Sequence, residues 1–563
     1  MASKESSAPR CAALVGSYLS GKTSLLESIL FNCGTVGRKG SVTEGNSVGD
    51  SAPEARARTM SVEMNIATAE YLGEQWSFID CPGSVELGQD ARSAMSVADI
   101  TVVVSEPGAA KALSVGRLLR ELEESGRPHM IFINKMDTAE ASVAETVDAL
   151  RELTSKPLIL REIPIRQGED ITGYVDLASQ RAYDNAEKEI DAPGDVVERV
   201  ELERTLLLES LADFNDDLME KLLEEETPEL SEVFDNLSEA VQAGSVVPVI
   251  FGSAASDIGI TRLLKTLRHD APGPERTAER LGVEAGGETH AQIFKTLLGS
   301  QTGKLSVARI WRGGISDGDT LNGSRVSGMF KLLGGNQEKI SKAGLGEVVA
   351  LGRLEDMATG DTLSASGDAE ALAWPDAPQA VYALAVQAGK REDEVKMPGA
   401  IGKLIEEDPS LKVQPNPDTH ELVMSGQGET HLRIAIERLK NRNKLDVSAR
   451  LPQVAYKETI RKPISQHARH KKQSGGHGQF GDVHVEIKPL PRGSGFQFTD
   501  SITGGVVPKQ YIPAVETGVK EFLVRGPLGF PVVDVSVELT DGQFHAVDSS
   551  DQAFKTAGSL AMR

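Results

Sequence analysis

The sequence predicts a multidomain protein that combines α/β, β-barrel and α+β folds, and its first domain is predicted to be a doubly wound parallel sheet. In the first half of the chain, apolar strands alternate with helices, and polar, glycine-containing loops follow the strands. From residue 288 the pattern changes to short alternating strands separated by turns, which is typical of a β-barrel. At 563 residues the chain has room for about four domains.

The most specific motif follows the first apolar run, Ala12–Val15. The next residues fit the pattern G-x-x-x-x-G-K-[ST] and open a helix, so their backbone N–H groups would form a nest for a polyphosphate. Lys22 is expected to reach the outer phosphates and the Thr23 hydroxyl to ligate Mg²⁺. The alternative is an ordinary glycine turn. The loop residues predicted to bind the nucleotide are Gly16, Ser17, Tyr18, Leu19, Ser20, Gly21, Lys22 and Thr23.

A second loop follows the predicted strand Trp76–Asp80 and consists of Asp80, Cys81, Pro82 and Gly83. An aspartate at the carboxyl end of a strand can hold Mg²⁺ through water, and a glycine there lets the backbone contact a γ-phosphate. The position of this loop therefore predicts Asp80 as a metal ligand and the three residues after it as part of the nucleotide site.

The loops that follow two later strands predict which base the protein binds. His129–Ile133 leads into the segment 134–137, whose aspartate, if buried, would accept two hydrogen bonds from guanine, whereas adenine presents the wrong donors. Val247–Phe251 ends in a second loop, 252–254, which is a predicted backbone contact to the guanine oxygen. Four such loops in order make GTP the expected ligand. The base-binding residues are predicted to be Asn134, Lys135, Asp137, Ser253 and Ala254.

About 115 residues separate the last two loops, too many for a simple crossover, so we expect an inserted subdomain at about 156–246. Short strands are predicted at Leu158–Arg166, Ile171–Leu177 and Arg181–Asp184, and acidic helices at Val196–Ala243. Asp184–Glu239 contains 20 acidic and four basic residues. The run is either a solvated helix face or a docking surface for a basic partner. The apolar residues expected along these helices are Leu206, Leu207, Leu211, Phe214, Leu218, Leu222 and Leu223.

Composition limits the class of protein. No apolar run reaches the 18 or so residues that a membrane span needs, and the polar first residues lack the apolar core of a signal peptide. Cys11, Cys33 and Cys81 lack metal-ligand spacing, so we expect them to be reduced and structural. These features predict a cytoplasmic protein that does not contact membranes, and we expect a monomer.

The domain boundaries follow from changes in pattern and from proline. We expect the first domain at 1–274, a barrel at 285–370, an α+β sandwich at 378–450 and a fourth domain at 452–563. The sandwich is predicted to contain strands at Val381–Gln387 and Glu421–Ser425 and helices around Ile401–Glu407 and Glu429–Lys440. In the fourth domain, Lys457–Lys472 is predicted to be a basic loop that contacts a phosphate backbone, the alternative being an exposed solubilising loop.

This domain order resembles bacterial elongation factor G and its paralogues over nearly the whole chain. The resemblance implies that the protein is a translational GTPase that uses GTP and Mg²⁺ and binds the ribosome. It also implies contact of the insertion with the ribosomal stalk, and contact of the fourth domain with rRNA and the tRNA–mRNA complex through tip loops at Gln473–Phe480 and His545–Ser550. The stretches that carry the resemblance are LIEEDPSLKV, GQGETHLRIAIERLK, PQVAYKETI, QSGGHGQFGDV, GGVVPKQYIPAVETG and VDSSDQAFKTAG.

The chain departs from the family pattern at three positions. Leu19 replaces an aspartate that helps to place a monovalent cation, and Ser61 replaces a Mg²⁺-ligating threonine while keeping its oxygen. Ser84 replaces the histidine that orients the attacking water, and serine is too short to do the same. A diverged paralogue with slow hydrolysis is therefore expected. The residues that the resemblance assigns to catalysis are Lys22, Thr23, Ser61, Gly83 and Ser84, with Thr23, Ser61 and Asp80 at the metal.

The last residues, Gln552–Arg563, have helical apolar spacing without a helix stop. The resemblance implies that a fifth domain is absent, so we expect a fragment or the product of a truncated gene, the alternative being a natural four-domain variant. The expected function is promotion of tRNA–mRNA translocation or of ribosome recycling. Two alternatives remain: a GTP-gated ribosome-binding protein with weak hydrolysis, which would act in ribosome disassembly, stalling relief or ribosome protection, and an inactive remnant.

Overall fold

The computed structural model describes residues 8–138, 142–168, 170–299, 303–473 and 478–563. These residues form two compact units. The first comprises residues 8–415 and 421–452, and the second comprises residues 416–420 and 453–563. Within the described residues, no helix combines the length and apolarity that crossing a membrane requires.

The first domain is built on a sheet in the order β2-β3-β1-β4-β5-β11-β6. All neighbours run parallel except β2, which is antiparallel to β3. The strands expected at the four loops are confirmed, and their carboxyl ends meet at one edge of the sheet. The strands are β1 (Arg10–Gly16), β2 (Asn65–Tyr71), β3 (Glu74–Asp80), β4 (Ile100–Ser105), β5 (His129–Ile133), β6 (Leu158–Leu160), β7 (Glu162–Gln167), β8 (Asp170–Asp176), β9 (Ala182–Asp184), β10 (Glu189–Ile190) and β11 (Val247–Phe251).

Helices cover both faces of this sheet, as the near-continuous apolar strands require. The strands β1, β4, β5 and β11 are buried along almost their whole length. The helices are α1 (Lys22–Asn32), α2 (Pro53–Arg58), α3 (Gly88–Val97), α4 (Ala109–Ala112), α5 (Gly116–Glu124), α6 (Val143–Arg151), α7 (Gly194–Ala212), α8 (Asp216–Leu223), α9 (Leu230–Gln242), α10 (Ile260–Asp270) and α11 (Pro274–Arg280).

The strands and acidic helices expected between the last two loops are present. They form a sheet in the order β10-β9-β8-β7, together with helices α7 to α9. The apolar set divides between two environments, because Leu207, Leu211 and Leu218 are buried while other members face solvent. The exposed members are Leu206, Phe214 and Leu223.

The predicted barrel strands are also present after residue 288. Strand β17 pairs both with β20 of this region and, at Leu333 and Ala67, with β2 of the first domain, so hydrogen bonding is continuous between the two. The strands are β12 (His290–Gly299), β13 (Gly303–Arg312), β14 (Gly314–Ser316), β15 (Thr320–Leu321), β16 (Ser324–Arg325), β17 (Met329–Leu333), β18 (Asn336–Ile340), β19 (Lys342–Gly344), β20 (Val348–Gly352) and β21 (Thr362–Ser364).

The next region is an α+β sandwich, as expected, with an antiparallel sheet in the order β23-β24-β22-β25. One face of the sheet packs against two helices through apolar residues that include Met424, Ile401 and Leu432. Its elements are β22 (Tyr382–Ala388), α12 (Met397–Glu407), β23 (Lys412–Pro415), β24 (Leu422–Gly426), α13 (Glu429–Asn443) and β25 (Val447–Arg450).

The second unit contains a sheet in the order β26-β27-β29-β28 covered by two helices. The expectation of a basic loop at Lys457–Lys472 is wrong for its second half, because Ile464–Lys472 forms a strand that pairs with the next strand along nine positions. The tip loop expected at Gln473–Phe480 lies outside the described residues at 474–477. The elements are β26 (Ile464–Lys472), β27 (Gln479–Pro489), β28 (Phe496–Asp500), α14 (Ile512–Leu523), β29 (Val535–Gln543) and α15 (Asp551–Ala561).

A buried ion pair joins the first domain to the barrel. The Arg309 guanidinium on β13 donates from Nη2 to Asp99 Oδ2 at 2.6 Å, and both side chains are fully buried. Asp99 also accepts hydrogen bonds from the Cys11 backbone N–H and the Thr277 hydroxyl, each at 2.7 Å. Burial lowers the pKa of Arg309 to about 9 and raises the pKa of Asp99 well above its usual range, and the direct contact between the two charges opposes both shifts. The pair therefore fixes the barrel against the amino-terminal end of β4, a central strand of the parallel sheet.

Replacing Arg309 with leucine would leave the Asp99 charge buried without its cationic partner. We expect the free energy of unfolding to fall by about 3–5 kcal/mol, the range for breaking a buried ion pair from one side. Urea denaturation followed through the first transition measures the change. The matched control is Arg325→Leu in the same barrel, since Arg325 is exposed and should shift stability by no more than about 0.5 kcal/mol. Equal effects of the two substitutions would contradict this account.

Candidate functional site

The loop between β1 and α1 can take its tight path only because of its glycines and one strained leucine. Gly16, Leu19 and Gly21 have φ angles of 148°, 62° and 88°. A Cβ atom on Gly16 would collide with the Val104 carbonyl, and one on Gly21 would collide with the Asn134 side-chain amide. The loop is therefore held between β4 and the segment after β5, which fixes the direction of its backbone N–H groups.

Lys22 lies at the start of α1 and is buried. Its Nζ donates to the carbonyl oxygens of Gly16 at 3.2 Å and Ser17 at 2.9 Å. Burial lowers the pKa of Lys22, and the nearby Asp80 carboxylate opposes that shift. Tyr18 and Leu19, by contrast, are exposed at the outside of the loop. The ammonium group is thus directed into the concave side of the loop, where a phosphate would lie.

Three oxygen-bearing side chains converge beside Lys22. The Thr23 hydroxyl donates to Asp80 Oδ2 at 2.7 Å, and Ser61 Oγ lies 2.9 Å from Thr23 Oγ1. Asp80 is fully buried, and burial raises its pKa to about 7. Among the described residues, Asp80 Oδ1 has no hydrogen-bond partner. An all-oxygen cluster with an unsatisfied buried carboxylate oxygen fits a hard divalent cation such as Mg²⁺. Ser61 therefore lies beside the two other residues that the resemblance assigns to the metal.

Asp50 joins this cluster, although sequence reasoning did not select it. It is buried, and its carboxylate oxygens lack a hydrogen bond of normal geometry within the described chain. Burial raises the pKa of Asp50, and the neighbouring Ser61 hydroxyl opposes the rise. The residue before it, Gly49, lies so close to Thr23 and Asp80 that a Cβ atom would fall 3.1 Å from Asp80 Oδ2. Asp50 belongs to no fixed motif, so only the fold reveals it.

The loop after β3 packs directly on the phosphate-binding loop. A Cβ atom on Gly83 would lie 2.5 Å from Lys22 Nζ and 2.6 Å from the Ser17 carbonyl, so only glycine fits. The Cys81 backbone N–H continues the sheet by donating to the Leu14 carbonyl at 3.1 Å. Ser84 is half-buried and precedes a short 3₁₀ turn at Val85–Leu87, which its side chain does not cap.

The segment after β5 links the remaining loops. The buried Asn134 donates from Nδ2 to the Ser20 carbonyl at 2.8 Å, and its Oδ1 accepts the Ala254 N–H at 2.8 Å. Lys135 adopts a φ of 62° and donates to the Leu19 carbonyl at 2.7 Å. The Asn134 side chain therefore ties the loop after β1 to the loop after β11.

Asp137 lies at the outer end of this segment. Asp137 is exposed in the turn that follows Lys135, so the protein chain alone does not enclose its carboxylate. Its Oδ2 accepts a hydrogen bond from Ser256 Oγ at 2.9 Å, and Ser256 in turn lies 2.9 Å from the hydroxyl of the buried Ser253. These contacts hold the carboxylate beside the loop after β11, so the four predicted loops do meet.

Lys39 is a second residue that the sequence patterns missed. Its Nζ donates to the Ala254 and Ala255 carbonyls and pairs with Asp257 at 2.7 Å. It lies between α1 and α2, in a polar stretch without a motif. Lys39 therefore connects the segment that carries Asp50 and Ser61 to the loop expected at the base.

Helix α13 of the sandwich contacts the segment that carries Ser61. Arg58 pairs with Glu437 at 2.6 Å, Arg438 with Glu63 at 2.7 Å, and the Asn441 amide donates to Glu54 at 2.8 Å. Beneath these polar contacts is a small apolar cluster. It consists of Ala52, Ala55, Val62, Leu87 and Ile434.

The start of α13 also contacts the turn after Ser84. The Glu86 carboxylate accepts the His431 backbone N–H at 2.9 Å, in the first turn of the helix, where an acidic group is favourable. One helix of the sandwich thus holds both segments that supply Ser61 and Gly83 to the site.

Family models match almost the whole chain. The model described as elongation factor Tu GTP binding domain matches residues 9–272, and three elongation factor G models match domain 2 at 288–366, domain III at 377–450 and domain IV at 452–563. The chain belongs to the elongation factor G family. It is a translation-factor GTPase with a guanine-nucleotide-binding domain, and the four loops and the oxygen cluster lie in that domain.

Two similar proteins agree with this assignment. An elongation factor G-like protein of Synechocystis is 46% identical over 559 residues, which cover 98% of this chain and 83% of that protein. A crystal structure of a Thermus thermophilus protein superposes with a TM-score of 0.85 at 32% identity, over 98% of this chain and 84% of the other. The elongation factor G fold expected from the sequence is therefore confirmed.

Replacing Asp137 with asparagine would remove the charged acceptor expected at the guanine edge. We expect GDP and GTP binding to weaken by about 1.5–3 kcal/mol, the scale for a hydrogen bond to a charged group, and ATP to show no binding to either protein. Isothermal titration calorimetry measures this. The matched control is Asp235→Asn on helix α9 of the insertion, which should leave the affinity unchanged. ATP binding by the parent protein at GTP-like affinity would refute the assignment.

Proposed function

We propose that this elongation factor G-like protein binds GTP with Mg²⁺ at the four-loop site, hydrolyses GTP to GDP and phosphate, and binds the ribosome in the GTP-bound form as a cytoplasmic monomer. The proposed outcome is tRNA–mRNA translocation or ribosome recycling. The observation that carries the proposal is that helix α13 contacts both segments that reach the phosphate site. A change at the γ-phosphate therefore has a direct route into the sandwich.

The roles of the residues follow from their positions. Lys22 and the N–H groups after Gly16 would bind the outer phosphates, and Thr23, Ser61 and Asp80 would hold Mg²⁺, with Asp50 close enough to accept from its waters. Bound Mg²⁺ would neutralise charge that develops on the phosphate oxygens. The Gly83 backbone N–H would contact the γ-phosphate. The Asn134 and Lys135 contacts would keep the base loops and the phosphate loop at a fixed separation.

Loss of the γ-phosphate would remove a partner from the segments of Ser61 and Gly83. Both segments are also fixed to α13, through Arg58–Glu437 and Glu86–His431. Any movement of either segment would break or shift these contacts, so α13 would respond to the nucleotide. This arrangement supports a GTP-controlled ribosome-binding cycle.

The contacts with the ribosome are proposed from charge. Lys471 and Lys472 are exposed at the end of β26, and they suit rRNA phosphates near the tRNA–mRNA complex. Arg469 of the same strand is instead paired with Asp482. The acidic insertion, with the exposed Leu206 and Phe214 on or beside α7, suits a stalk protein with basic and apolar groups.

A second candidate, a GTP-gated ribosome-binding protein with weak hydrolysis, is favoured by Ser84. The position is half-buried beside Gly83, and serine has no imidazole to reach an attacking water or to supply positive charge. Such a protein would remain on the ribosome longer after GTP binding, which suits ribosome disassembly, stalling relief or protection.

Ser84→His tests both candidates. We expect slow single-turnover GTP hydrolysis by the parent, a faster rate when ribosomes are added, and a further gain of about 10-fold in the variant, equivalent to about 1.4 kcal/mol of transition-state stabilisation. The matched control is Val85→His, which places the imidazole on the next, exposed residue and should give no gain. Calorimetry measures whether all three proteins bind GTP equally, as this comparison requires.

Two results would contradict the proposal. If ribosomes do not change the hydrolysis rate of the parent or of the Ser84→His variant, ribosome-dependent hydrolysis is ruled out. If the parent hydrolyses GTP as fast as the histidine variant does, Ser84 is not the cause of slow hydrolysis.

A further inference from the structure

The outer face of the sheet in the second unit carries a compact group of polar side chains. Alternate residues of β26 and β27, such as Ala468, Val483 and Val485, face the apolar core beneath the helices. The residues between them therefore face outward. In the antiparallel register, His467 lies directly opposite His484, and Arg469 lies directly opposite Asp482.

Two imidazoles and one carboxylate oxygen of this group converge. His467 Nε2 lies 3.0 Å from Asp482 Oδ1, and His484 Nε2 lies 3.8 Å from the same oxygen. The two rings are stacked, with centroids 4.1 Å apart and an interplanar angle of 6°. Because the ring planes are parallel, one ring would have to rotate about its side-chain bonds for both nitrogen lone pairs to point at one ion. All three potential ligand atoms lie within 4.8 Å of one another. The imidazoles are about half exposed while Asp482 is buried, so the cluster is open to solvent on one side only.

Arg469 fixes the carboxylate without covering the shared oxygen. Its Nε donates to Asp482 Oδ2, which also lies 3.1 Å from His467 Nε2, while Oδ1 is the oxygen that approaches both imidazoles. A partner on the second oxygen is the usual way in which a metal-ligating carboxylate is oriented. A further acidic residue, Asp541 of β29, lies opposite His484 in the register.

We propose that His467, Asp482 and His484 form a binding site for a divalent transition-metal ion of the Zn²⁺ class. Two imidazoles and a carboxylate are a common ligand set for Zn²⁺. With metal–ligand bonds of about 2.0–2.1 Å, tetrahedral geometry separates ligand atoms by about 3.3 Å. The separations of 3.0 and 3.8 Å to Asp482 Oδ1 lie on either side of that value.

The site is separate from GTP binding in both residues and chemistry. Mg²⁺ prefers an all-oxygen set in octahedral geometry, whereas this cluster offers two nitrogen ligands. A bound Zn²⁺ would link the two neighbouring strands, because its ligands come from both β26 and β27. Its effect would be to stabilise the strand that ends in Lys471 and Lys472.

The test is zinc titration of the full chain by calorimetry, with excess Mg²⁺ and GDP present so that the nucleotide site is saturated. We expect one Zn²⁺ per chain at this site. His467→Gln and His484→Gln should each weaken it about 10-fold or more, because each removes one ligand. The matched control is His470→Gln on the same strand, whose ring contacts Gln479 and lies outside the cluster. Circular dichroism establishes that all variants remain folded.

Cobalt(II) provides an independent signature, since its visible absorption reports nitrogen and oxygen ligation in tetrahedral geometry. The parent and the His470→Gln variant should show this absorption, and the His467→Gln and His484→Gln variants should lose it. The proposal is overturned if the parent binds no Zn²⁺, or if the two ligand variants bind it as tightly as the parent does. The readout is metal binding without ribosomes, so its outcome is independent of the proposed GTPase cycle.

Discussion

The hydrogen bond from Thr23 to Asp80, with Ser61 beside it, is the interaction on which the architecture of the site depends. It requires α1, the end of β3 and the segment after α2 to meet within a few ångströms. The parallel order β3-β1 brings the first two together, since Leu14 lies opposite Asp80 in the register. The segment after α2 must be held by other contacts, because Ser61 lies outside the sheet. That support comes from α13 and the apolar cluster around Ile434.

Most of the fold and much of the site could be predicted from the sequence, because the four loops are short motifs that directly follow apolar strands. Their meeting at one edge follows from the parallel sheet alone. The contacts of α13 could not be predicted in this way, since Arg58 and Glu437 are 379 residues apart and each is an ordinary charged residue in a helix. Asp50 and Lys39 were missed for the same reason: only the fold shows what they touch.

Two positions show how tertiary pairing decides an environment that composition does not. The charge of the stretch before residue 472 predicts a loop, but its second half pairs with β27, and Arg469 pairs with Asp482. The strand before Asp137 does not indicate whether its carboxylate is enclosed, and a serine hydroxyl positions that carboxylate at the surface.

We expect the phosphate site and helix α13 to respond to the nucleotide as one coupled element. Hydrogen–deuterium exchange of residues 429–443, compared between GDP and a non-hydrolysable GTP analogue with Mg²⁺, tests it most directly. We expect slower exchange in α13 with the GTP analogue, loss of that difference in an Arg58→Ala variant that still binds nucleotide, and no nucleotide effect in helix α9 of the insertion. Identical exchange in α13 for the two nucleotides would rule out this coupling.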